Sequence, residues 1–270
     1  MTDADPDPDA AFDRNADPAV DQGDDVAGDA VAEPAPVSTG CSPLDDLLDG
    51  GLERGTVTQL YGPPAAGKTN VALSAAVETA AAGGTALYVD TEGLSIERFR
   101  QIAEARDRAP ADVEALTSRI VVSAAHDFGE QREAVQDAAD FADRADLVVV
   151  DSITGFYRLE RTQDEDGEAL RDVARQVTHL LGLARRHDLA VLVTNQVYTD
   201  PGSNQDRPLG GHTLAHWTGV IVRLERFRGG IRRATLEKHG AKPAGETARF
   251  QITGSGLAGV EGRSGQGGPP

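Results

Sequence analysis

From Val37 onward, short apolar runs alternate with longer segments whose apolar residues recur every three or four positions. Residues 57–61 read as a first strand, followed by a glycine-bearing loop and an alanine-rich helix over 70–82. Gly83 and Gly84 stop that helix, as glycines just past a helix end do. The pattern predicts further strands at 85–90, 120–123, 147–151 and 190–194, with helices over 96–106, 129–143 and 168–187 between them. Val/Leu/Ile strands that are apolar at nearly every position, separated by helices, imply a parallel sheet covered on both faces.

After Trp217 the rhythm changes. Residues 220–228, 232–239 and 248–253 are strand-like with only turns between them, and Gly229 and Gly230 fit a tight hairpin. The expected fold class is therefore α/β: a mostly parallel sheet flanked by helices, closed by antiparallel strands at the C-terminal end. Trp217 is expected in the core. Residues 259–270, rich in Gly, Ser and Pro, read as a flexible tail.

Charge divides the chain again. Residues 1–36 hold eleven acids and one base, Arg14, which is −10 of the formal net charge of −18. With almost no large apolar side chains, that stretch cannot offset its ordering entropy and is expected to be a disordered acidic tail. The folded core is expected over 37–258. Only Lys68, Lys238 and Lys242 are lysines among 26 basic residues. Abundant carboxylates with scarce lysine suit a protein dissolved in concentrated salt, where self-repulsion is screened within a few ångström; a GC-rich genome would also favour Arg over Lys. The lone Cys41 excludes an intramolecular disulfide. The first residues show no basic start before an apolar run, and no apolar stretch approaches bilayer length, so a cytoplasmic protein without membrane contact is expected.

Gly62, Pro63, Pro64, Ala65, Ala66, Gly67, Lys68 and Thr69 follow a strand and open a helix, which is the order and setting of a phosphate-binding loop. Backbone N–H groups of such a loop, continued by Asn70, surround phosphates at a helix N-terminus. Lys68 neutralises the phosphates and Thr69 ligates Mg2+. ATP and Mg2+ are the expected cofactors. Asp151 ends a strand at the sheet edge where ligands bind, and is read as the second magnesium residue, against a turn-capping role. Glu92, just past the second strand, is placed to orient the attacking water as a catalytic residue, against a helix-dipole role. Gln196, at the end of the fifth strand, can reach the γ-phosphate or that water.

Ser38-Thr39-Gly40, Gly50-Gly51, the phosphate loop, Tyr88 to Gly93, Asp151-Ser152, Thr194 to Val197 and Leu209 to His216 occur in this order over about 37–257. Together they resemble the archaeal and eukaryotic branch of RecA-type recombinases, with its RecA-like P-loop NTPase core. The resemblance implies ATP binding by Lys68, Thr69 and Asp151, catalytic roles for Glu92, Lys68 and Gln196, and two DNA-facing loops after Ser152 and Val197. Full recombinases of this branch carry an N-terminal helical domain and a Phe-x-x-Ala assembly hook. Here Phe12 is followed three residues on by Asn15. The segment from Leu236 to Pro243 looks like that of the short archaeal paralogues, which are taken to bind DNA and ATP, hydrolyse ATP very weakly without DNA stimulation, and assist the recombinase.

The basic residues are distributed unevenly. Residues 153–166, with Arg158 and Arg161, sum to −2, and 198–213, with Arg207, to −1. Residues 223–242 sum to +5, so Arg228 and Arg232 join Arg158, Arg161 and Arg207 as candidate DNA contacts. Lys238 is the candidate cation for a neighbouring subunit's nucleotide. A solvated strand face is the competing explanation of this hairpin. The expected partners are DNA, single-stranded or branched, a RadA-type recombinase, and further copies of the chain. A DNA-dependent strand-exchange ATPase and a KaiC-like signalling ATPase are the alternatives.

Overall fold

The computed structural model describes residues 35–105, 110–157, 167–200, 202 and 205–260. The acidic segment and residues 261–270 therefore lie almost wholly outside the described residues. In chain order the helices are α1 (Ser42–Leu47), α2 (Lys68–Ala81), α3 (Ile96–Glu104), α4 (Pro110–Thr117), α5 (Phe128–Asp137), α6 (Glu168–His187) and α7 (Gly211–Trp217). The strands are β1 (Val57–Tyr61), β2 (Ala86–Asp90), β3 (Ile120–Ala124), β4 (Leu147–Asp151), β5 (Ala190–Asn195), β6 (Val197–Asp200), β7 (Gln205–Pro208), β8 (Val220–Arg226), β9 (Ile231–Lys238), β10 (Thr247–Thr253) and β11 (Gly256–Gly259).

Nine strands form one sheet in the order β11-β10-β9-β8-β1-β5-β4-β2-β3. From β8 to β3 all neighbours are parallel, and β8 to β11 pair antiparallel, as the change of rhythm after Trp217 predicts. Alternation along each strand feeds two apolar layers. Tyr88 packs with Leu60, Leu192 and the α2 residues Val71, Leu73 and Val77. Leu87 and Val89 face the other way, into a layer with Val135 of α5 and Val173, Val177 and Leu180 of α6. These strands are apolar at nearly every position for this reason: β1, β2, β4 and β5 are buried throughout, their polar residues included.

Several elements differ from the sequence expectations. The short α1 and α7 and the helix α4 appear where no helix was expected. Six and seven residues are too few to show a helical period, and α1 is held instead by the Asp45 carboxylate, which accepts from Thr39 N and Ser38 Oγ. Helix α5 ends at Asp137 and a 3-10 turn over Ala138–Asp140 replaces its expected last turns. Strands β6 and β7 form a separate antiparallel ribbon in the loop after Gln196, and at four residues each, with Asp200, Asp206 and Arg207 among them, they are too short to show a strand period. Strand β11 pairs Gly259 with Phe250, so the sheet runs one residue into the stretch expected to be tail. Trp217 is not in the core: it is 37% exposed at the end of α7, its ring edge-on to His216.

Candidate nucleotide site

The C-terminal ends of β1, β2, β4 and β5 open on one edge of the sheet, which is where ligands bind in open α/β folds. Between β1 and α2, the loop from Gly62 to Gly67 is shaped by close approach. A Cβ on Gly62 would lie 2.3 Å from the Leu224 carbonyl oxygen, so no larger residue fits. Gly67, with φ 106°, sits in the left-handed region that releases the chain into α2. The first N–H groups of α2 then face the cleft as an anion site. Lys68 Nζ donates to the carbonyls of Gly62 (2.9 Å) and Pro63 (3.3 Å), folding its ammonium back over the loop. Burial lowers its pKa, and the nearby Asp151 and Glu92 carboxylates act against that shift.

Asp151 ends β4 and is 1% exposed. Its carboxylate accepts from Tyr88 Oη at 2.9 Å and from Thr194 Oγ1. Burial raises its pKa, while hydrogen bonds from Thr194, Thr69 and Tyr88 oppose the rise and the charge of Glu92 adds to it. Thr69 and Asp151 thus offer a hydroxyl and a carboxylate oxygen on the two sides of one cleft. Hard oxygen donors of this kind suit Mg2+, which takes one or two carboxylates and completes its shell with phosphate and water. Among the described residues no cluster of three or more His, Cys, Asp or Glu could hold a metal without a ligand's help.

Glu92 is set by the end of β2. Asp90 accepts from the backbone N–H of Glu92 and Gly93 at 3.0 Å each, which fixes the turn. Thr91 Oγ1 donates to Ser152 O (3.0 Å) and accepts from Ser152 N (2.7 Å), tying that turn to β4. Gln196 Nε2 donates to Glu92 Oε1 at 2.9 Å. Behind it Asn195 bonds Thr154 and the Leu209 carbonyl, and Gln196 O accepts from Leu209 N. The base of the β6–β7 ribbon is therefore bonded directly to the cleft. These groups line one cavity of about 580 Å3 that includes Gly62, Gly67, Lys68, Thr69, Asn70, Glu92, Asp151 and Gln196.

Among the described residues, the candidate arginines do not gather into one surface. Arg158 and Arg161 lie outside the described residues. Arg207 is exposed on β7, over a second cleft, and Arg228 is exposed in the turn between β8 and β9. Arg232, read from sequence as a DNA contact, lines the nucleotide cleft. Lys238 Nζ donates to the carbonyls of Ala215 (2.8 Å) and Thr218 (2.6 Å) at the end of α7, a site its charge favours through the helix dipole. The +5 hairpin is also largely tied down. Arg223 pairs with Glu225 and Glu237, Arg233 with Glu225, and Arg233 and Arg249 flank the Phe227 ring.

Sequence reasoning missed Tyr88, Arg98 and Ile252. Tyr88 was visible as a strand residue and within a family segment, with no role attached, and its bond to Asp151 needs the β2–β4 register. Arg98 carries no local signal, yet it donates to Asn70 Oδ1 (3.0 Å), Thr253 O (2.8 Å) and Gly254 O (2.9 Å), closing one side of the site. Ile252 stands against Gly67 from a strand 185 residues away in sequence.

The Rad51 family model matches residues 32–260. The DNA repair and recombination protein RadB of Halobacterium salinarum is 69% identical over 222 residues, covering 81% of this chain and 93% of that protein. RadB of Archaeoglobus fulgidus is 42% identical over 224 residues, covering 82% and 97%. A crystal structure of the RadB recombinase superposes with a TM-score of 0.70 at 39% identity, covering 83% of this chain and all of that one. The acidic, lysine-poor composition accords with the Halobacterium relative. Matched over residues 32–260, the chain belongs to the Rad51 family, in the branch of the DNA repair and recombination proteins RadB.

Proposed function

We propose that this chain is an ATP-gated accessory of homologous recombination. It binds ATP and Mg2+ through the phosphate loop, Lys68, Thr69 and Asp151. It also binds DNA, hydrolyses ATP very slowly without stimulation by DNA, and assists a RadA-type recombinase in place of exchanging strands itself. The observation that carries this reading is the direct bond between Gln196 and Glu92. It couples the cleft to the β6–β7 ribbon, so a γ-phosphate entering between them changes what the ribbon's base is bonded to.

Slow turnover fits the same geometry. A carboxylate that accepts from an amide is a weaker acceptor for a water's proton, and general-base catalysis is worth about 10²–10⁴-fold where the geometry allows it. Lys238, the cation considered for a neighbouring nucleotide, is held within its own chain. Weakly ionic DNA binding fits too, because counterion release drives little association in concentrated salt.

A groove beside β3 supports the recombinase partner. Strand β3 ends the sheet with one edge unpaired among the described residues, and Val122 on it is 47% exposed. Leu94, Phe99, Val113, Ile120 and Val122 line an apolar cavity of about 620 Å3 against that edge. It suits an extended segment with one aromatic anchor, the form of the Phe-x-x-Ala hook, added to a free strand edge. The test is strand exchange by a haloarchaeal RadA-type recombinase with and without this chain. The expected result is a higher yield with the chain present and none from the chain alone. Exchange by the chain alone would overturn the reading.

A further inference from the structure

We propose that Arg232 is a second cation for the polyphosphate of the bound nucleotide, supplied by the same chain that supplies Lys68. The inference rests on the nucleotide reading of the cleft and names a ligand residue that the phosphate-loop pattern does not contain.

Arg232 lies at the start of β9, opposite Arg226 of β8 and Phe250 of β10. That position puts it at the same sheet edge as the phosphate loop, and it lines the same cavity as Lys68, Thr69 and Asn70. Its Cγ is 3.9 Å from where a Cβ on Gly67 would stand, and Ile252 Cδ1 is 2.8 Å from that point. The aliphatic stem of Arg232 and the Ile252 side chain therefore wall the loop at the residue that opens α2. A side chain at position 67 would displace Ile252 and touch the Arg232 stem.

The guanidinium is only partly satisfied. Nη1 donates to Gly230 O at 2.8 Å, which the left-handed turn at Gly229 and Gly230 makes possible. Nε is closed off from solvent with no hydrogen-bond partner. The carboxylates of the hairpin are committed elsewhere: Glu225 to Arg223 and Arg233, Glu237 to Arg223 and Tyr61. Arg233, one residue on, faces the opposite side of the strand with those acids, as pleating requires. Arg232 is left with no acidic partner among the described residues, beside a loop whose backbone N–H groups also await an anion.

A buried guanidinium donor without an acceptor is costly, and a phosphate is the acceptor whose geometry fits it best. With Nη1 already bonded, the Nε–Nη2 edge is the one left to take an oxyanion in the cleft. That edge offers two parallel N–H bonds, which Lys cannot reproduce. Such a direct contact persists in molar salt, where long-range attraction is screened. A cation that holds triphosphate and diphosphate alike binds ground state and transition state together, so it tightens nucleotide without speeding the chemistry.

The experiment is equilibrium binding of ATP and ADP with Mg2+ to the full chain in multimolar KCl, for wild type, Arg232→Lys, Arg232→Gln and Arg228→Ala. Apo thermal unfolding of each variant is recorded alongside. The expected order of affinity for both nucleotides is wild type, then Arg232→Lys, then Arg232→Gln, the last weaker by about 10-fold or more, as loss of a charged hydrogen-bonded contact implies. Arg228→Ala is expected to bind as wild type does. If Arg232→Gln unfolds, the Arg232→Lys comparison decides: a several-fold loss supports the assignment and equality with wild type overturns it. Arg232→Gln within twofold of wild type also overturns it, as does a variant that loses DNA binding without nucleotide while keeping ATP affinity. Wild type failing to bind ATP would instead refute the nucleotide reading of the cleft itself.

Discussion

Gln196 Nε2 donates to Glu92 Oε1 across 2.9 Å, joining the ends of β5 and β2 over the Asp151 that ends β4 between them. The bond holds the carboxylate nominated for the water-orienting role in the hand of the residue that leads into the β6–β7 ribbon. Glu92→Gln is therefore predicted to slow single-turnover ATP hydrolysis by at least about 10-fold while ATP affinity stays within a few-fold of wild type. That is less than the full range of about 10²–10⁴-fold for general-base catalysis, because the Gln196 bond already weakens the carboxylate. Equal losses in binding and hydrolysis would show that Glu92 holds the ligand and does not act on water.

Lys68→Ala is predicted to abolish measurable ATP binding, because it removes the cation that the loop folds around. Calorimetric titration of the variant checks this. Retained affinity would refute the phosphate-loop assignment.

Much of this site was legible in the sequence, and the reason is local. The loop from Gly62 to Thr69, the strand end at Asp151 and the turn at Glu92 each carry their chemistry within a few residues, with strand and helix patterns fixing their place. Arg232 shows where that ends. Its neighbours in sequence are basic, so it read as part of a charged surface. Only the pairing of β9 with β8 and β10 brings it to Gly67, and only the pleat separates it from Arg233. Tyr88 behaves the same way: apolar by pattern, a donor to Asp151 by register. The ribbon of β6 and β7 escaped because each strand has only four residues and the ribbon is anchored from outside, at Leu209 and Asn195.

Asp151 carries a stability cost that follows from its burial. Its pKa is raised in the folded chain, so the folded state favours the protonated carboxyl. That contribution is present at low pH and is lost as pH rises through the folded pKa. Asp151→Asn is accordingly predicted to unfold at higher denaturant than wild type near neutral pH, with the difference growing as pH rises from acid, while Mg2+-dependent ATP affinity falls. A variant less stable than wild type at neutral pH would contradict the account of the site.

Tyr88→Phe removes a buried donor to that carboxylate. A hydrogen bond to a charged group contributes about 1.5–3 kcal/mol, so urea denaturation should show a loss of that size. An unchanged midpoint would mean that Asp151 finds another donor.

Deleting residues 1–33 is predicted to leave the thermal transition in place. Among the described residues, the first contacts of the core are those of Ala35, whose carbonyl accepts from Arg54, and of Val37, which bridges Leu52. A collapsed transition would assign the acidic segment a structural role.

The central claim is an ATP-gated accessory and not a DNA-driven motor. It is tested most directly by the steady-state rate of ATP hydrolysis in multimolar KCl with and without single-stranded DNA. The account predicts a slow rate that DNA leaves unchanged; strong stimulation by DNA would contradict it and identify a working strand-exchange ATPase.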